Sequence, residues 1–295
     1  MNKISQYASL VKFAHTIFAM PFALVGFTYG AVVAASGERA DWWWLPLLIQ
    51  VVLCMIFARN VAMGFNRWAD WRIDAENPRT ADRDIPAGRV SPREALAFVG
   101  VNAVLFVLTA STINSLTAIL SPVALGVVMA YSYCKRFTSA AHLVLGLSLG
   151  IAPVAAYISV TGAFALAPCV LSLVVIGWCA GFDIIYALQD REYDIAHSLH
   201  SIPSRFTVVT SLGISIALHV VSGVALVWFT LLVGGGWLMW IGCALFCAIL
   251  VAEHVIVTPK RQSNIGIAFG TLNSLASLLL AVFVIADIVL HHYIN

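Results

Sequence analysis

Apolar runs of about twenty residues, parted by short polar breaks, set the rhythm of this chain. A helix needs roughly 20 apolar residues to cross a bilayer. On that basis nine spans are predicted, at about 13–35, 43–65, 93–112, 116–133, 141–161, 165–186, 206–231, 236–257 and 265–290. Backbone in hydrocarbon must satisfy its own hydrogen bonds, so the expected fold is an all-α polytopic membrane protein. The short alternating segments of a β-barrel are absent. The first apolar run lacks a small-residue cleavage pattern, so no cleaved signal peptide is expected.

Composition agrees. Of 295 residues, 61% are hydrophobic and only 10% charged, where a soluble domain carries about 25% charged residues. The mean hydropathy is +0.93. A net charge of +2 gives no footing for nucleic acid. The six cysteines fall in apolar stretches with no metal-ligand or disulfide spacing. Cationic residues sort by loop. Lys3 and Lys12 precede the first span, Arg67 to Arg93 follow the second, Lys135 and Arg136 the fourth, Arg191 and Arg205 the sixth, and Lys260 and Arg261 the eighth. The other loops hold only Arg39. This asymmetry predicts an N-terminus and charged loops in the cytoplasm, with Trp42, Trp43 and Trp44 at the outer interface.

Two of those loops concentrate the chain's carboxylates. Asp70 and Asp74 close the second span, and Asp190 and Asp194 follow the sixth at the same spacing, 120 residues later. Lys135 and Lys260 echo each other after the fourth and eighth spans. The chain therefore reads as one integral membrane domain over residues 1–295, with related halves at about 1–140 and 141–263 and a last helix at about 265–290. The halves share one topology, so their axis runs along the membrane normal. Four helices from each half and the ninth helix would surround a central cavity.

On a continuing helix Asn66, Asp70 and Asp74 share a face, as do Asp183, Tyr186, Asp190 and Asp194. Four or five carboxylates around one cavity require compensation. Carboxylate and amide oxygens without thiolates favour Mg²⁺, which bridges to substrate phosphates. Arg59, Arg72, Arg79, Lys135 and Arg136 suit a diphosphate. Arg59 lies inside an apolar span, where a charge marks function by default; snorkelling to the interface is the alternative. Charges just past a span also read as a solvated loop. A long connection, Ala75 to Pro92, links spans two and three, with Pro92 placed to start the third. Glu253, His254, His219 and Asp287 are read as interhelical or interfacial groups. A secondary transporter with repeated halves is the rival reading, although transporters bind substrate near the midplane and these acids gather at one face.

The motifs resemble those of the UbiA superfamily of intramembrane aromatic prenyltransferases. Its NxxxDxxxD is similar to "NRWADWRID", its DxxYxxxDxxxD to "DIIYALQDREYD", and its YxxxKR to "YSYCKR". The resemblance covers nearly the whole chain. It implies Mg²⁺-dependent ionisation of an allylic polyprenyl diphosphate and alkylation of an electron-rich aromatic ring. By position it implies a metal–diphosphate set of Asn66, Asp70, Asp74, Asp190 and Asp194, and diphosphate contacts at Lys12, Arg59, Tyr131 and Lys135, with Arg136, Asp183 and Tyr186 in the substrate site. Tyr186 would offer a ring face to the allylic cation or simply pack. "SLVKFAHTIFAMPFA" and "NPRTADRDIPAG" resemble the bacterial 4-hydroxybenzoate polyprenyltransferase-like branch, which includes enzymes similar to those acting on 1,4-dihydroxy-6-naphthoate in menaquinone synthesis. "KRFTSAAHLVLG" departs from that branch at Ala141-His142, which leaves the aromatic acceptor open and makes His142 a candidate for acceptor choice or a merely interfacial residue.

Overall fold

The computed structural model describes Leu10, residues 18–35 and residues 43–294, with side chains to residue 291. Lys12, Arg39 and Trp42 lie outside the described residues. Among the described residues the bundle has nine long helices: α1 Met20–Ala34, α2 Trp44–Glu76, α3 Pro92–Ser111, α4 Ser115–Cys134, α5 Ala141–Thr161, α6 Leu166–Ala187, α7 Val208–Leu232, α8 Trp237–Ile256 and α9 Asn273–Ile294. Eight are long and apolar enough to cross a membrane, and α1 is described over 15 residues. Among the described residues there is no strand, only one isolated bridge, Thr258 with Arg261.

Local chemistry sets the helix ends. Pro92 opens α3, as its fixed φ favours, behind a reciprocal capping box between Ser91 and Glu94. The Asn114 side chain caps α4 by accepting from Thr117 N–H at 2.9 Å. Gly162, at φ 68°, ends α5 in the left-handed region. Asp287 of α9 caps α8, accepting from Gly236 N–H at 2.7 Å and Met239 N–H at 3.2 Å. This gives the acid an interhelical role, in line with its reading from the sequence. His219 and His254 likewise bond to each other across α7 and α8 at 3.0 Å. Glu253 is fully buried, with neither carboxyl oxygen bonded.

At 33 residues α2 is about 50 Å long, well beyond the ~30 Å hydrocarbon core. Its last turns therefore project from the apolar slab and carry Asp70 and Asp74 with them. The connection that follows is shorter than expected, residues 77–91, because the helix consumes Ala75 and Glu76.

Helix α6 is the hub, packed against α5 and α7, while α1 packs on α5 and α9, and α2 on α3 and α4. Trp178 of α6 sits fully buried among Phe18, Phe22, Phe182 and Phe246. Small residues let the backbones close in. A Cβ on Gly26 would come within 2.2 Å of the Pro153 carbonyl oxygen, and one on Gly146 within 2.6 Å of the Ile176 carbonyl oxygen. Backbone cannot rotate away as a side chain can. Gly26→Ala is therefore expected to destabilise the bundle by about 1–3 kcal/mol through the α1–α5 contact. A thermal melt in detergent checks this, and an unchanged Tm would count against the tight crossing.

Candidate active site

The two charged stretches meet at one end of the bundle. Tyr193 Oη–H donates to the Ile73 carbonyl at 2.9 Å, and Asn77 Nδ2 donates to Asp190 Oδ1 at 3.0 Å. Segments 113 to 120 residues apart in sequence are thus joined directly.

Around that junction cations clasp the carboxylates. Asp70, 2% exposed at its side chain, takes Lys135 Nζ at 2.8 Å and Arg136 at 3.3 Å, and Asn66 Nδ2 at 3.2 Å. Asp74 pairs with Arg83 at 2.6 Å, and its Oδ2 has no partner. Arg79 forks onto Asp190, with Nε 2.7 Å from Oδ1, and donates to Tyr186 Oη at 2.9 Å. Burial alone would lower the Arg79 pKa, but hydrogen bonding to Asp190 and the charges of Tyr186 and Asp190 outweigh it and hold the guanidinium above its ordinary value.

Below this roof lies a cavity of about 630 Å³. Arg59, Asn66, Arg67, Tyr131, Asp183 and Tyr186 line its charged end, and aliphatic side chains of α2, α4 and α5 line the rest. Its lining runs from Tyr131 to Thr117 along α4, about 21 Å of helix. Val123, 60% exposed, and Leu147, 46% exposed, are both in the lining and on the outside of the bundle. The cavity therefore opens sideways between α4 and α5, towards lipid. Phe269, on a π-helical turn Ala268–Leu272 before α9, lines the cavity and packs on Tyr186 with ring centroids 4.1 Å apart. Such turns recur at functional sites.

Most of the residues singled out in the sequence come together here. Arg59 remains within the bundle and lines the cavity, its Nε unbonded, rather than snorkelling out. The expected common face of Asp183, Tyr186, Asp190 and Asp194 is broken. A 3₁₀ turn, Leu188–Asp190, interrupts the helix, and a new short helix runs Arg191–Ala196. The tighter winding changes the register. Asp194 consequently turns to Ser201, whose Oγ–H donates at 2.8 Å, and borders a separate surface hollow with Arg205. Among the described residues no three His, Cys, Asp or Glu side chains converge as a ready cage for a metal. Mg²⁺ seldom needs one, since one or two carboxylates plus water and substrate phosphates serve. The oxygen-rich donor set and the orphaned Asp74 Oδ2 fit that mode.

Arg67 and Arg83, outside the set expected from the motifs, also line the cavity. Arg67 is 7% exposed. It follows Arg59 by eight residues and so shares its helical face, a signal that was available. Among the described residues neither Arg59 nor Arg67 has a carboxylate partner within ion-pair distance. Two arginines without a carboxylate partner at the head of an oily chamber can hold an anion.

Fold and site together define a membrane-embedded helical bundle around an apolar cavity with a charged head. The chain belongs to the UbiA prenyltransferase family, whose family model matches residues 20–284. The 4-hydroxybenzoate octaprenyltransferase of Aliivibrio fischeri (strain MJ11) is 30% identical over 229 residues, 76% of this chain and 78% of that one. The enzyme of the same name from Burkholderia orbicola (strain MC0-3) is 30% identical over 234 residues, 77% of this chain and 80% of that one. The apo structure of a UbiA homolog from Aeropyrum pernix K1 superposes with a TM-score of 0.77 at 27% identity, covering 94% of this chain and 98% of that one. A UbiA homolog from Archaeoglobus fulgidus bound to GPP and Mg²⁺ has a TM-score of 0.74 at 19% identity over 96% of this chain and 99% of that one, a likeness of fold. The protein is a multi-pass membrane prenyltransferase, and the transporter reading falls with that membership.

Proposed function

We propose that the protein transfers a polyprenyl group from an allylic polyprenyl diphosphate to a ring carbon of an aromatic acid, of the 4-hydroxybenzoate or 1,4-dihydroxy-6-naphthoate type, in ubiquinone or menaquinone synthesis. The observation that carries this reading is the pair of arginines without an ion-pair partner among the described residues, Arg59 and Arg67, beside the carboxylate cluster at the head of a laterally open apolar cavity. In it, Asn66, Asp70, Asp74 and Asp190 would hold Mg²⁺, while Asp194, turned to Ser201, stands apart from that set. Bound Mg²⁺ would neutralise the diphosphate and make it a better leaving group. Arg59, Arg67, Lys135, Arg136 and Tyr131 bind and orient the diphosphate oxygens, with Lys12 joining from the N-terminal segment. The aliphatic cavity keeps water from the allylic cation, while the tail leaves between α4 and α5. Tyr186, braced by Phe269 and Arg79, flanks the reacting carbon.

The recurrence of a carboxylate cluster after α2 and after α6 supports two related halves followed by α9. The cationic loops support a site facing the cytoplasm of a bacterial inner membrane. Membranes containing the protein, offered both acceptors with prenyl diphosphates of several lengths and Mg²⁺, are expected to prenylate one acceptor strongly. Failure to prenylate either, with any chain length, defeats the reading.

A further inference from the structure

His142 is 3% exposed, at the start of α5. Its Nδ1 lies 2.7 Å from Asp183 Oδ2, and its Nε2 lies 3.2 Å from the backbone nitrogen of Ile202. A backbone N–H can only donate, so Nε2 must be the bare nitrogen. The proton then sits on Nδ1 and is donated to Asp183. The ring is held as one neutral tautomer. The same loop is anchored elsewhere: His200 N–H donates to the Lys135 carbonyl at 2.7 Å, and Ser201 caps the short helix Ile202–Arg205. His142 is therefore fixed from outside the cavity, and it fixes a carboxylate that lines the cavity.

We propose that His142 is a positioning residue for the aromatic acceptor, orienting Asp183 to receive the acceptor's phenolic O–H. This rests on the reading above that the cavity holds a prenyl diphosphate and a hydroxyaromatic ring. As the ring carbon bonds to the prenyl C1, the C1–O bond breaks and its electron pair leaves with the diphosphate. The phenolic proton passes to Asp183, giving a neutral dienone. Loss of the ring C–H proton to the departing diphosphate, with return of the Asp183 proton to oxygen, restores the aromatic phenol. Asp183 ends as it began. An acceptor whose hydroxyl is methylated has no proton to give and should be rejected.

The test is steady-state kinetics on the full-length enzyme in membranes, varying each substrate in turn. His142→Ala is expected to lower kcat/KM for the acceptor by about 10- to 100-fold, the usual cost of removing a group that orients a site residue. The KM for the prenyl diphosphate should stay within about twofold. His142→Gln, whose amide can donate to Asp183 and accept from Ile202, should recover most of the loss. Equal losses toward both substrates, an unchanged acceptor kcat/KM, or no recovery in the Gln variant would each overturn the role of His142. If the wild-type enzyme prenylates no hydroxyaromatic ring, the functional reading itself fails, which is a separate result.

Discussion

Asp190→Ala and Asp70→Ala are each expected to lose prenyl transfer by on the order of 10³-fold, about 4 kcal/mol of transition-state stabilisation, while the protein stays folded. Both halves of this expectation come from the site. Asp190 holds Arg79 and accepts from Asn77, and Asp70 holds Lys135 and Arg136. Each carboxylate thus organises the cations and, in the proposed function, would also offer oxygens to a metal. Breaking a fully buried ion pair costs about 3–5 kcal/mol because a charge is stranded. That penalty does not apply here. The side chains of Arg79, Lys135 and Arg136 are 29%, 32% and 38% exposed and can turn to water. Radiolabelled prenyl transfer in membranes, read beside the Tm in detergent, separates the two effects. Undiminished transfer in either variant removes these aspartates from the site.

Stripping divalent metal should silence the wild-type enzyme, and Mg²⁺ should restore it at lower concentration than Ca²⁺. The proposed donors are carboxylate oxygens and the Asn66 amide, with no thiolate among them, and such sets take hard cations. Few protein oxygens converge, so an ion that keeps its water and leans on diphosphate oxygens is favoured over one seeking six to eight ligands. A readout independent of turnover is available. Mg²⁺ and a non-hydrolysable prenyl diphosphate analogue together should raise the Tm, because a ligand that binds only the folded state stabilises it. Each alone should do so less, and Asp190→Ala should abolish the joint effect. Full transfer activity in excess chelator would exclude a metal.

Much of the site could be read in the chain because α2 is continuous. Asn66, Asp70 and Asp74 keep their spacing on one long helix, so a one-dimensional pattern becomes a face. Arg59 and Arg67 belong to that face too, although only Arg59 lies within the apolar span. The second motif was harder. Nothing in "YALQDREYD" announces that a 3₁₀ turn replaces the α-helix at Leu188–Asp190 and sends Asp194 aside to Ser201. The pairings of Asp74 with Arg83 and of Asp190 with Arg79 were equally hidden. They depend on how the 77–91 connection folds back over the bundle. The close helix crossings did leave a trace, in "GFTYG", "GLSLG" and "GWCAG". Small residues four apart let backbones touch in lipid.

The sequence by itself determined that this is a helical membrane protein with two acidic helix ends and cations beside them. Those are properties of length, apolarity and spacing, which act within a single helix. Only the tertiary structure decided that the two ends meet, that each carboxylate meets its own cation, that Arg59 and Arg67 line the cavity without a carboxylate partner, and that the cavity opens between α4 and α5. Each of these is a contact between segments far apart in the chain, set by which surfaces pack, and no local preference encodes it.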